Sequence, residues 1–207
     1  MPVTTSCLVT GAAVLPLPDV RLDGRRPLLA VGSNASPSQL RHKFAASGRD
    51  FAVPVFSTRV DGLAVGHSAH VSRAGYIPYA PYAAAGQTLR TAMLLWLDDA
   101  QLARMDETEP NYDRVPLASA DYRLTLESGP EVAEYFVYRS VHGVIVDLPA
   151  TTQADAFAQL ARRPDFPADP LPVLAGSALR RAAVTAALAA HATPSGLKVG
   201  EIFPNRE

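Results

Sequence analysis

The stretch LLAVGSNASPSQL, residues 28–40, joins an apolar run to a helix start through a tight turn. A short, continuous apolar run such as LLAV, bounded by turn residues, suits a buried strand. Ser36, Pro37 and Gln39 then supply an N-cap, a proline at the first helical position and a glutamine at the third. The helix is predicted to run to about Ala46, with Gly48 as its stop signal. Between strand and helix, Gly32-Ser33-Asn34 has two readings. It is an ordinary connection, or it is a cradle of backbone donors for an anion or a substrate oxygen.

Outward from this stretch, residues 1–27 read as an irregular or short-strand leader. Two β-rich runs around Asp61-Gly62 predict a two-residue hairpin. GYIPYAPYAAAG (75–86) reads as a loop, and TAMLLWLD (91–98) as a buried strand. DDAQLARMDETE (98–109) reads as a short helix with Leu102 and Met105 on one face. Further β runs are expected near 112–117, 122–127, 131–140 and 143–148, with Gly129-Pro130 separating the second from the third. After Pro149, TTQADAFAQLARR and GSALRRAAVTAALAAHA carry helical periodicity, joined by a proline-rich link, and residues 192–207 read as an extended tail. The expected fold is α+β: a small mixed, mostly antiparallel β-barrel or curled sheet with flanking helices and two C-terminal helices. Residues 1–150 form the sheet domain with its leader, and 151–207 a helical extension and tail packed on the same domain.

Composition excludes several functions. Nineteen basic residues against twenty acidic ones leave a formal charge of −1, with no basic stripe for nucleic acid. Cys7 is the single cysteine, so neither an intrachain disulfide nor a multi-cysteine zinc site can form. The N-terminal stretch lacks a basic region, and Gly11, Pro16 and Pro18 interrupt its apolar run. A soluble, cytoplasmic protein with no membrane partner is expected. His67 and His70 lie three apart on a predicted strand and so face opposite sides, without a carboxylate or cysteine at ligand spacing. No metal is expected, and one histidine lining a pocket is the better reading. Tyr76, Tyr79 and Tyr82 either cover the core or form an aromatic wall. Trp96 is expected in the core. The alanine-rich helix is expected against the sheet or a second copy, which leaves monomer and homodimer both open.

The second informative stretch is LARMDETEPNYDRV, residues 102–115. It gathers Asp106, Glu107, Glu109 and Asp113 around the end of a helix that leads into a strand. Taken singly, a Gly-Ser-Asn turn is a common connection and an acidic helix end is commonly solvated. Together and in this order, the two stretches resemble the γ-glutamylcyclotransferase superfamily. That family carries a Tyr-Gly-Ser-Asn-Leu turn after its first strand. Further on it has a Leu-Asp-x-x-Glu-Gly segment followed by Tyr-x-Arg. The counterparts here are Val31-Gly32-Ser33-Asn34-Ala35, then Met105-Asp106-Glu107-Thr108-Glu109-Pro110, then Tyr112-Asp113-Arg114. The resemblance spans about residues 28–140. Val31, Ala35 and Pro110 depart from the family's tyrosine, leucine and glycine.

The resemblance implies a small-molecule substrate and no cofactor. The α-amine of a γ-glutamyl group attacks its own γ-carbonyl, closing 5-oxoproline and releasing an amine. An intramolecular attack needs no protein nucleophile, in keeping with the absence of a Gly-x-Ser-x-Gly elbow. By motif position Glu109 is the general acid and base. Val31, Gly32, Ser33, Asn34 and Ala35 contact substrate, and Tyr112 orients Glu109 or substrate. Two other readings stand beside this one. The first is a biosynthetic amide-cleaving or amide-transferring enzyme on the same scaffold. The second is a non-catalytic module that binds a small molecule.

Overall fold

A computed structural model describes residues 4–45, 50–166 and 177–200. In chain order the elements are β1 (Cys7–Thr10), β2 (Val14–Pro16), β3 (Arg26–Ala30), a 3₁₀ turn (Ser33–Ala35), α1 (Pro37–Ala45), β4 (Ala52–Ser68) and β5 (Tyr79–Leu97). They continue with α2 (Asp99–Glu107), β6 (Tyr112–Ala118), β7 (Leu124–Leu126), β8 (Glu134–Ser140), β9 (Val144–Pro149), α3 (Gln153–Leu160) and α4 (Ala178–Ala189). The fold is α+β, as expected. The expected end of α1 near Ala46 with its stop at Gly48, the middle of the proline-rich link and the end of the tail lie outside the described residues.

The nine strands form one sheet in the order β2-β1-β4-β5-β3-β8-β6, with β7 and β9 also paired to β4. Its ends are β2 and β6, so of the two expected forms the sheet is the curled one and not a closed barrel. Every pairing is antiparallel except β3 with β8. β4 and β5 carry the sheet. β5 lines one side of β4 from Val55 to His67. The other side of β4 meets β1, then β7, then β9. Core clusters cover both faces of β4, Val53 and Val55 on one and Phe56, Val60 and Leu63 on the other, so it loses the in–out alternation of a half-exposed strand and most of its residues are buried.

Two expectations fail here, for related reasons. Asp61-Gly62 does not turn the chain; β4 runs straight through it. The register with β5 slips here: β4 goes from Asp61 to Leu63 while β5 goes from Thr88 to Ala83, so the extra residues of this irregularity lie on β5. Gly62 takes φ +83°, a conformation that glycine supplies in a tight turn and in an irregular strand alike. What keeps the strand going is a third chain segment: Asp61 N–H donates to the Arg123 carbonyl, beside β7. The true connection between β4 and β5 is residues 69–78. The expected loop at 75–86 is therefore strand from Tyr79 onward. There β5 is paired to β4 but not yet to β3, so a proline at position 81 leaves a ladder position that can lack a donor.

α2 forms as its sequence suggests. Asp98 accepts from the Gln101 N–H, and the Gln101 side chain accepts from the Asp98 N–H, a reciprocal capping box. Leu102 and Met105 then face a core cluster shared with Leu28, Leu40, Phe44 and Leu95. The opposite face of the sheet packs Leu29, Leu94, Leu117 and Tyr135, with Trp96 only partly buried at its margin. Phe157, Leu160, Val184 and Leu188 of α3 and α4 pack on Ile77, Ile145 and Leu148. No helix among the described residues is long and apolar enough to cross a membrane.

A side chain at position 62 must adopt the left-handed region at a cost of about 1–2 kcal/mol, and its Cβ would stand 3.3 Å from the Tyr122 ring. We expect Gly62→Ala to lower the free energy of unfolding by that amount in urea titrations. An unchanged or higher stability would contradict the left-handed conformation of Gly62.

Candidate active site

β3 lies between β5 and β8, and its chain leaves the sheet at Val31. The Gly32–Asn34 turn that follows faces the start of β5. A Cβ on Gly32 would stand 3.6 Å from the Tyr79 side chain. Within the turn, Ala35 N–H donates to Gly32 C=O and Ser36 N–H to Ser33 C=O. The N–H groups of Gly32, Ser33 and Asn34 have no acceptor among the described residues.

α2 ends beside this turn. Glu109 N–H donates to the Asp106 carbonyl and Tyr112 N–H to the Glu109 carbonyl, so the chain reverses tightly into β6. The reversal sends the Glu109 side chain inward. Its Oε1 accepts from Asn34 Nδ2 at 3.0 Å and from Lys43 Nζ at 2.5 Å. The Lys43 and Glu109 side chains are 8% and 16% exposed. A charge pair this far from water needs both partners, because removing one leaves an uncompensated buried charge.

The other three carboxylates of the acidic stretch are occupied elsewhere. Asp106 is bound by Arg114 and by the Tyr138 hydroxyl, Glu107 by Arg104, and Asp113 by Arg139. Glu109 is thus the one acidic residue of the four that reaches the turn.

These groups line a cavity of about 760 Å³. One wall is Val31–Asn34 with Gln39, His42 and Lys43 of α1; a second is Glu107–Tyr112. The third is the β4–β5 connection with Tyr76 and Tyr79, backed by Thr151–Gln153. Of the expected substrate contacts, Val31, Gly32, Ser33, Asn34 and Tyr112 line it. Ala35 is 6% exposed and packs in the core with Leu40 and Phe44.

The tyrosines serve the wall. The Tyr112 hydroxyl donates to the Tyr79 carbonyl, and the Tyr79 hydroxyl to the Thr151 carbonyl. Burial, with the nearby Glu109 charge second, raises the Tyr112 phenol well above the ordinary tyrosine value, so it remains protonated. Burial and then Glu109 raise Tyr76 also. Gln153 clamps the β4–β5 connection by donating to Ile77 C=O and accepting from Ile77 N–H. Thr185 of α4 accepts from Val71 N–H.

The two histidines separate, but not by strand period: β4 ends at Ser68, so His70 lies in the connection and not on the strand as expected. His67 is wholly buried, its Nδ1 against the Leu148 carbonyl and its ring edge on Tyr79. Burial lowers its basicity. His70 lines the cavity. Its Nδ1 is 2.6 Å from Ser68 Oγ, which is 2.6 Å from Ser140 Oγ, and its ring lies 4.4 Å from that of His142. No group of three or more metal-ligating side chains forms among the described residues.

Lys43 is the site residue that sequence reading overlooked. It belongs to neither motif, and its partner is 66 positions away in the chain. Residues 151–153 lead into α3, and nothing local in the sequence marks them as a cavity wall.

No family model matches the chain, and no curated protein is significantly similar to it. Among solved structures, it is similar to a protein of Arabidopsis thaliana at 16% identity, over 69% of this chain and 88% of that one, with a TM-score of 0.45. It is similar to a γ-glutamyl cyclotransferase at 12% identity, over 56% and 67% of the two chains, with a TM-score of 0.43. An uncharacterized human protein aligns at 13% identity over 57% and 68%, also with a TM-score of 0.43.

Burial, helped by the neighbouring His142, pushes His70 from 6.5 down to about 4. The unfolded chain therefore takes up this proton before the folded one does. Stability is unaffected above the ordinary histidine value and falls as pH drops from there toward about 4. In an NMR titration we expect the His70 ring resonances to stay in the neutral position down to about pH 4. A midpoint near the ordinary value would contradict its enclosure.

Proposed function

We propose that this chain is a γ-glutamyl cyclotransferase-like enzyme that cleaves a γ-glutamyl amide without a cofactor. The observation that carries the reading is the 3.0 Å bond between Asn34 and Glu109 inside the cavity. It joins the two stretches whose likeness to the γ-glutamylcyclotransferase family rests on residues far apart in the chain.

In this reading the unspent N–H groups of Gly32, Ser33 and Asn34 receive oxygens of the substrate. Glu109 takes a proton from the α-ammonium. The freed amine attacks the γ-carbonyl carbon, a new C–N bond closes the five-membered ring, and the carbonyl oxygen carries the charge of the tetrahedral intermediate. Collapse breaks the old C–N bond; Glu109 returns its proton to the departing amine and then passes on the second proton of the ring nitrogen, so the amine leaves as an ammonium. Products are 5-oxoproline and a free amine, with the atoms of the substrate conserved. Because nucleophile and electrophile belong to one molecule, holding it bent supplies much of the rate, up to about 7–11 kcal/mol in the best-aligned cases. Tyr112 acts through position: its hydroxyl donates to the Tyr79 carbonyl, so its part is to tie the wall that carries Glu109 to the start of β5.

The test is mass-spectrometric detection of 5-oxoproline from a panel of γ-glutamyl amino acids and γ-glutamyl amines. Wild type is expected to release it from at least one member. Glu109→Gln, nearly isosteric, leaves Lys43 without its anion; it is expected to be less stable but folded by circular dichroism, and to lose about 10²–10⁴-fold in kcat/KM. A panel with no 5-oxoproline, or a Glu109→Gln variant of full activity, would overturn the proposal.

A further inference from the structure

The bonds to Glu109 are distributed unevenly. Asn34 and Lys43 both donate to Oε1, and Oε2 accepts from no described residue. Lys43 is equally unspent. An ammonium carries three donors, and among the described residues Glu109 is its single acceptor. Both side chains line the cavity. Side by side, then, the pair shows the cavity a half-used anion and a half-used cation. The idle N–H groups of residues 32–34 belong to the same wall.

An arginine would not give this arrangement. Its planar fork binds a carboxylate through both oxygens, whereas a lysine touches one. In a chain whose basic residues are otherwise almost all arginine, Lys43 and Lys198 are the two lysines, and Lys43 stands at this carboxylate.

A ligand that satisfies both unspent charges carries an ammonium and a carboxylate a few ångströms apart on one carbon. We infer that Lys43 is the carboxylate receptor of the cavity, and that Lys43 and Glu109 together recognise the zwitterionic head of an α-amino acid. This rests on the function proposed above and adds a specificity residue that neither motif contains. The ammonium goes to Oε2, where it must be for Glu109 to take its proton. The carboxylate goes to the free donors of Lys43, assisted by the turn.

The test measures binding and needs no turnover. L-Methionine sulfoxide places an S=O group where a γ-glutamyl amide has its carbonyl, and it cannot close the ring. Its α-carboxamide keeps the ammonium and loses the carboxylate. By NMR titration, wild type is expected to prefer the carboxylate by about 10- to 100-fold, the range of a charge-assisted hydrogen bond. Lys43→Met is expected to bind the two within about threefold of each other, since the charged donor is gone. That variant leaves Glu109 unpaired, so the double variant Lys43→Met with Glu109→Gln is measured beside it and is expected to lose the preference too. A preference retained in either variant, or absent from wild type, would overturn the inference. Because no product is needed, this result is independent of whether 5-oxoproline ever forms.

Discussion

The β4–β5 ladder is the constraint from which the rest of the molecule hangs. Two strands of 17 and 19 residues pair along most of their length. Paired strands of that length leave two long outer rows of backbone donors and acceptors that must be satisfied. β1, β7 and β9 take up the free side of β4 in turn, and β3 takes the far end of β5. β3 is thereby fixed between β5 and β8, and the turn at its exit comes to lie beside the end of α2.

The second organising fact is the buried charge of Glu109. A carboxylate this enclosed requires compensation, and Asn34 and Lys43 provide it on one oxygen. The same pairing ties the β3 exit, α1 and the α2–β6 reversal to one point. Stability and chemistry are coupled there: the contacts that make the charge tolerable also leave its second oxygen open to the cavity.

The legible parts of the sequence were those whose physics is local. The Leu102–Met105 face of α2, the proline start of α1 and the apolar β3 run act within a few residues of themselves. The turn and Glu109 could be paired through a family resemblance that spans both. The failures share a cause. Asp61-Gly62 asks for positive φ at glycine in a hairpin and in an irregular strand alike, and the difference lies with Arg123 and β7. Prolines suggested a loop at residues 75–86, where strand begins at Tyr79. Lys43 looked like one more polar position on a helix, since its partner is remote. Motif position singles out Glu109 from Asp106, Glu107 and Asp113; the engagement of the other three by Arg104 of the same helix and by Arg114, Arg139 and Tyr138 of β6 and β8 is visible only in the fold.

The clamp on the β4–β5 connection has a consequence for the order in which the molecule is made. Residues 69–78 form a wall of the cavity, yet they are held by Gln153 and Thr185. In chain order the turn, Lys43 and Glu109 all precede Gln153 and Thr185. A nascent chain that has reached β6 holds every one of those charged groups but not the side chains that support the outer wall. The wall's support is thus added after the charges it encloses.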